Sequence, residues 1–77
     1  MEKDIIKLIC NALEADSSEV SIETTSHDVD EWDSLGHLSI LQALDEKYND
    51  VTERVPELAS VSSVKEIVDL VISDINS

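Results

Sequence analysis

Three stretches of this sequence place apolar residues three and four positions apart, and nowhere does the chain offer two segments that could pair as strands. Between Glu2 and Ala15 the residues Ile5, Ile6, Leu8, Ile9, Ala12 and Leu13 keep helical intervals, with Lys3, Asp4, Lys7, Asn11 and Glu14 between them. From Ser34 to Asn49 the residues Leu35, Leu38, Leu41, Leu44 and Tyr48 do the same, and Ile40 and Ala43 widen the apolar face. Asp33 suits the N-cap of that helix, where its carboxylate can accept from a first-turn amide, and Asn49 and Asp50 supply a stop. A third pattern runs through Val64, Ile67, Val68, Val71 and Ile75, preceded by Ser63 and Glu66 at capping-box spacing, with Ser62 as a competing cap. Pro56 opens a short helix to about Ala59, because its missing amide is harmless in a first turn.

Asp16 to Asp33 reads as a long polar loop with room for one short helical turn, anchored by Val20, Ile22, Val29 and Trp32. Val20 and Ile22 alternate as a strand would, but no second strand exists to pair with them, so a sheet is rejected. The expectation is an all-α bundle: three longer helices, one short third helix, a long first connection, and a single domain over residues 1–77. Isolated amphipathic helices are marginal in water, so these faces must bury one another. A domain this small buries only about 60% of the surface of its unfolded chain, so stability should be moderate.

The charge narrows the partners. Eighteen acidic residues stand against five basic ones, a formal charge of −13, which argues against nucleic-acid phosphates and anionic membrane surfaces and favours basic partner proteins. Such a chain repels itself. Its melting temperature is expected to rise with added salt or divalent cations, and a thermal denaturation series that is indifferent to salt would contradict this. Cys10 is the one cysteine and allows no internal disulfide; no signal-peptide layout opens the chain, and the apolar runs fall short of the roughly 20 residues that span a bilayer. A cytoplasmic monomer is expected, and Met1 favours a free-standing chain over a module excised from a larger one.

Catalysis by the chain alone is not expected. One glycine cannot build a phosphate loop, and Ser34 with His37 on a single helical turn makes no triad without a pocket and an orienting acid. Asp28 and Asp30 begin like a calcium loop, but Trp32 and Asp33 stand where a ligand and a glycine are needed and Ser39 replaces the closing glutamate, so no metal site is assigned. His27 and His37 read as ordinary surface or capping residues. Cys10 reads as a core or half-buried helix residue with no cation to activate it.

The segment Asp33-Ser34-Leu35, opening a helix that continues Gly36-His37-Leu38 and reaches Ala43-Leu44-Asp45-Glu46, resembles the prosthetic-group site of the acyl carrier protein family. The short Pro-bearing helix, the run Val61-Ser62-Ser63-Val64 and the last helix with Ile67-Val68-Asp69-Leu70-Val71 extend the resemblance over essentially the whole chain. The resemblance implies a right-turning bundle whose short third helix is a mobile gate. It implies 4'-phosphopantetheine, carried from coenzyme A to Ser34 by a magnesium-dependent phosphopantetheinyl transferase, the holo-carrier synthase. It also implies partner recognition by Asp33, Leu35, Leu38, Asp45 and Glu46, which would meet acyl-loading and acyl-transferring enzymes with basic docking patches. Taken on position alone, Ser34 reads as a capping serine.

The chain departs from well-known fatty-acid carriers in its second helix, whose first two turns are Gly36-His37-Leu38-Ser39 where acids are usual, and Lys47 interrupts its acidic end. Asp28, Asp30 and Glu31 lie upstream instead. Trp32 before the cap resembles a variant found in the wider family, and its structural task would be to staple the loop onto the next helix. These departures point to partners other than the housekeeping fatty-acid enzymes; the expected role is carrying acyl groups in fatty-acid-like, polyketide or other specialised biosynthesis. An aminoacyl, peptidyl or D-alanyl carrier is the alternative within the class, and an unmodified acidic interaction module is the alternative outside it.

Overall fold

The computed structural model describes residues 1–76, and among them the chain is all-α, with four α-helices and no strand. Helix α1 spans Glu2–Leu13 and buries Ile5, Ile9, Cys10 and Leu13. It ends two residues before the expected Ala15, because Glu14 turns into the left-handed region at φ 55°. The amides of Glu14 and Ala15 then close on the carbonyls of Asn11 and Cys10, which satisfies groups that a bare helix end would leave unpaired.

The polar connection is more firmly held than its composition suggests. Asp16 caps a 3-10 turn at Ser17–Glu19, accepting from the Ser18 amide at 3.1 Å. Val20, Val29 and Trp32 are buried, and Thr24 is buried with its hydroxyl accepting from the Ser21 amide at 2.8 Å. Thr25 and Ser63 form an isolated antiparallel bridge, Ser26 donates to the Ser62 carbonyl at 2.8 Å, and Val64 donates to that of Thr24 at 2.9 Å. No sheet grows from this bridge, as expected, but it fastens the loop to the head of the last helix.

Helix α2 spans Ser34–Lys47, stops at Tyr48, and is followed by two left-handed residues, Asn49 and Asp50, types that tolerate this conformation better than most. Its inward face differs from the expected one. Ile40 and Leu44 are fully buried and Leu41 and Tyr48 partly so, whereas Leu35 is 75% and Leu38 51% exposed. At about 100° per residue, Leu35 and Leu38 project roughly opposite the Ile40–Leu44 stripe. The apolar residues of this helix therefore form two faces, of which the core takes one.

The short helix also differs from expectation. An α-helical turn, α3, occupies Val51–Arg54, and the segment Pro56–Ala59 that follows it is a 3-10 turn rather than the helix itself. Asp45 starts α3 by accepting from both the amide and the hydroxyl of Thr52, at 2.9 and 2.8 Å. Arg54 donates to the carbonyls of Tyr48 and Asn49 and pairs with Asp74 at 2.9 Å, so one guanidinium joins the end of α2 to the last helix. Helix α4 spans Val64–Ile75 and buries Val64, Ile67, Val68 and Val71. Ser63 wins the capping position, accepting from the Glu66 amide at 3.2 Å, while Glu66 reaches back one residue further than a capping box requires, to the Ser62 amide.

Helix α1 packs on α2 and α4, and α3 with the Pro56–Ala59 turn closes the bundle against α2. Among the described residues no helix is long and apolar enough to cross a membrane. Burial, followed by the carboxylates of Asp16 and Glu19, pushes the Cys10 thiol above its ordinary value, and its Sγ donates to the Ala15 carbonyl at 2.9 Å. A thiol shifted in this direction and engaged as a donor is a poorer nucleophile than a free one.

Candidate functional site

The loop reaches the head of α2 through Trp32, whose amide donates to the Val29 carbonyl at 3.0 Å and whose ring is buried. Asp33 then adopts an extended conformation and its Oδ1 accepts from the Gly36 amide at 2.8 Å, the N-cap expected of it. Its own carbonyl takes the first helical bond, from His37, also at 2.8 Å.

Because Asp33 does the capping, Ser34 does not. It sits one position inside the helix, exposed, and among the described residues its hydroxyl has no hydrogen-bond partner. The amides of Ser34 and Leu35 are likewise without acceptors among those residues. An exposed hydroxyl at the positive end of a fourteen-residue helix, beside two amides without acceptors, is a place where an anion can be held.

Gly36 makes this geometry possible. A Cβ at that position would lie 2.1 Å from the Glu31 carbonyl oxygen and 2.9 Å from Leu13 Cδ2, so the loop backbone and the end of α1 both close onto the first turn of α2 across a bare Cα. Any side chain there would push the loop away from the helix that it caps.

His37 is not an ordinary surface residue, whereas His27 is exposed. The Trp32 indole donates from Nε1 to His37 Nδ1 at 3.0 Å, with the two ring planes within 10° of parallel, and His37 Nε2 meets the Leu58 carbonyl at 2.9 Å. Trp32 thus performs the stapling expected of it, through a polar bond to His37. Beside this bridge an open cleft of about 450 Å³ is lined by Ser26, Trp32, Asp33, Ser34, His37 and residues 59–62.

Of the other residues expected to meet partners, Leu35 and Leu38 stand in solvent on one side of α2, and Glu46 is exposed. Asp45 is occupied in capping α3. A second, smaller groove, about 290 Å³, brings Glu14, Glu31 and Asp33 around Leu35 and Gly36, so acidity approaches Ser34 from α1 and the loop rather than from α2. The sequence carried no signal for Gly36 as a contact point or for the Leu58 carbonyl, since both depend on segments far apart in the chain. Compared with known protein families, curated proteins and solved structures, the chain has no significant match.

Proposed function

We propose that this chain is a carrier protein of the acyl carrier class, with 4'-phosphopantetheine attached at Ser34. The observation that carries the reading is the division of labour at the head of α2. Asp33 supplies the cap, which leaves the Ser34 hydroxyl exposed and without a partner among the described residues. A capping serine would be expected to spend its oxygen on the backbone.

The residues present fit the group. The Ser34 and Leu35 amides and the helix dipole favour the phosphodiester charge, and the hydroxyls of Ser26 and Ser62 line the adjoining cleft beside the polar arm. When attached, the group supplies a thiol on which acyl groups ride as thioesters. In attachment the Ser34 oxygen displaces adenosine bisphosphate from coenzyme A, and the hydroxyl proton leaves to a base on the transferase. The chain contributes presentation: Asp33 holds the first turn, Gly36 lets the loop close, and Leu35 with Glu14, Glu31 and Asp33 offers a partner enzyme an apolar and acidic surface. That surface suits enzymes with basic docking patches. The absence of acids from the first turn of α2 supports a cargo from a specialised biosynthetic route over general fatty-acid synthesis.

Incubation with coenzyme A, magnesium and a broad-range phosphopantetheinyl transferase should add one phosphopantetheine by intact mass, and Ser34→Ala should abolish the addition. The same Leu35 and Leu38 exposure would also serve an unmodified acidic interaction module. Wild-type protein that stays at its unmodified mass under these conditions would favour that second reading.

A further inference from the structure

Two grooves meet between α1 and α2. One, of about 550 Å³, has Leu8, Ala12 and Ala43 as its floor and Lys7 and Lys47 at its rim, with Asp4 as its one acid. Ala12 also lines the acidic groove around Leu35, so the two adjoin. On α2 the lining residues Leu35, Ser39, Ala43 and Lys47 fall four apart, and on α1 Asp4, Leu8 and Ala12 do the same. Two such ridges bound a furrow of the kind into which another helix packs. Among the described residues none from α3 or α4 lines it. From Leu35 to Lys47 it is about 18 Å long, room for about three turns of a guest helix. Ser39 spends its hydroxyl hydrogen on the Leu35 carbonyl at 3.1 Å and so adds no free donor to the floor.

The two ends of the furrow carry opposite charge. Glu14, Glu31 and Asp33 surround the Leu35 end, and Lys7 and Lys47 stand at the other. In a chain where acids outnumber bases 18 to 5, both lysines are exposed and, among the described residues, neither is paired with a carboxylate. We propose that this furrow docks an amphipathic helix of a partner protein, with basic residues at the end that meets Glu14, Glu31 and Asp33 and acidic residues at the end that meets Lys7 and Lys47. Apolar side chains three and four apart on the guest would lie on Leu8, Ala12, Ala43 and Leu35. Helices favour acids in the first turn and bases in the last, so the guest runs antiparallel to α2. A wholly basic helix would set cations against Lys7 and Lys47, and a second copy of this chain, at −13, is repelled. The furrow belongs to the unmodified chain and does not depend on what Ser34 carries.

The probe is a synthetic peptide of about fourteen residues, with leucines at helical spacing, glutamates in its first turn and arginines in its last. Titrated into the full chain labelled with nitrogen-15, it should move the amides of Leu8, Ala12, Ser39 and Ala43 saturably and leave those of Val61 and Ser62 still. A nitroxide on its arginine end should broaden Glu14 and Leu35, and one on its glutamate end Lys7 and Lys47. Lys7→Gln combined with Lys47→Gln should weaken binding roughly two- to thirtyfold, the range for two exposed ion pairs, with the melting temperature unchanged. Replacing the peptide's glutamates by glutamine should cause the same loss with the wild type and no further loss with the double variant. Ser34→Ala should bind the peptide as the wild type does, which separates the furrow from the carrier reading. The proposal is overturned if those amides show no saturable shift, if the nitroxide reports no fixed orientation, or if the double variant binds as tightly as the wild type. Amides in the furrow that move with chain concentration alone would assign it to a second copy and overturn it as well.

Discussion

Gly36→Ala is expected to destabilise the protein by about 3 kcal/mol, the upper end of overpacking costs, and to lower the thermal midpoint by roughly 12–24 °C in a domain of this size. The sign is what makes the measurement informative. In an exposed helix interior the same change would stabilise by about 0.5–1 kcal/mol, because glycine is the poorer helix former. Here the new methyl carbon would start 2.1 Å from the Glu31 carbonyl oxygen. Leu13 can rotate out of the way, but the Glu31 carbonyl moves only with the backbone that carries Trp32 and Asp33. Circular dichroism melting would measure the effect. An alanine variant as stable as wild type would mean that the loop does not close on α2 at this point. If Ser34 carries phosphopantetheine as proposed, a destabilised variant should also accept it more slowly, because the cap and the serine shift with the loop.

The second large effect separates the two faces of α2 with the same leucine-to-alanine change at three positions. Leu44 is fully buried, and Leu44→Ala should cost about 2–5 kcal/mol in transfer and cavity terms. Leu35→Ala and Leu38→Ala remove the same atoms from exposed positions and should change stability by less than about 0.5 kcal/mol. If the exposed leucines are the docking surface, those two variants should keep their melting temperature and lose rate in modification or acyl transfer with partner enzymes. Equal destabilisation by Leu35→Ala and Leu44→Ala would contradict the orientation of the helix.

Helices α1 and α4 were legible because each has a single apolar stripe, and a stripe of one period has one reading. Helix α2 was legible as a helix but not in its orientation. Leu35 and Leu38 keep the interval of a core stripe while facing away from the core, and periodicity alone does not distinguish a buried stripe from one kept bare for a partner. The α3 turn escaped notice because four residues show no period, and its cap, Asp45, lies seven residues from the Thr52 that it holds. Asp33 as cap was readable, since a cap acts within one turn. The Gly36 contact with Glu31 and the bridge from Trp32 through His37 to Leu58 were not, because they are products of assembly and leave no local pattern. Ser34 as a free hydroxyl rests on both kinds of information: the cap can be read locally, while the lack of a competing partner among the described residues needs the folded chain.

The antiparallel bridge between Thr25 and Ser63, with the bonds from Ser26 to Ser62 and from Val64 to Thr24, bears on the order of events during synthesis. The loop that presents Ser34 is fastened to residues that leave the ribosome long after it, and the Leu58 carbonyl that receives His37 lies in the same late stretch. Closing so long a segment is entropically slow to be repaid, so these contacts are expected to form after the local ones. A nascent chain that has exposed Ser34 but not yet Val64 has the serine without its setting, and if Ser34 is modified as proposed, a transferase that reads the setting would pass over unfinished chains.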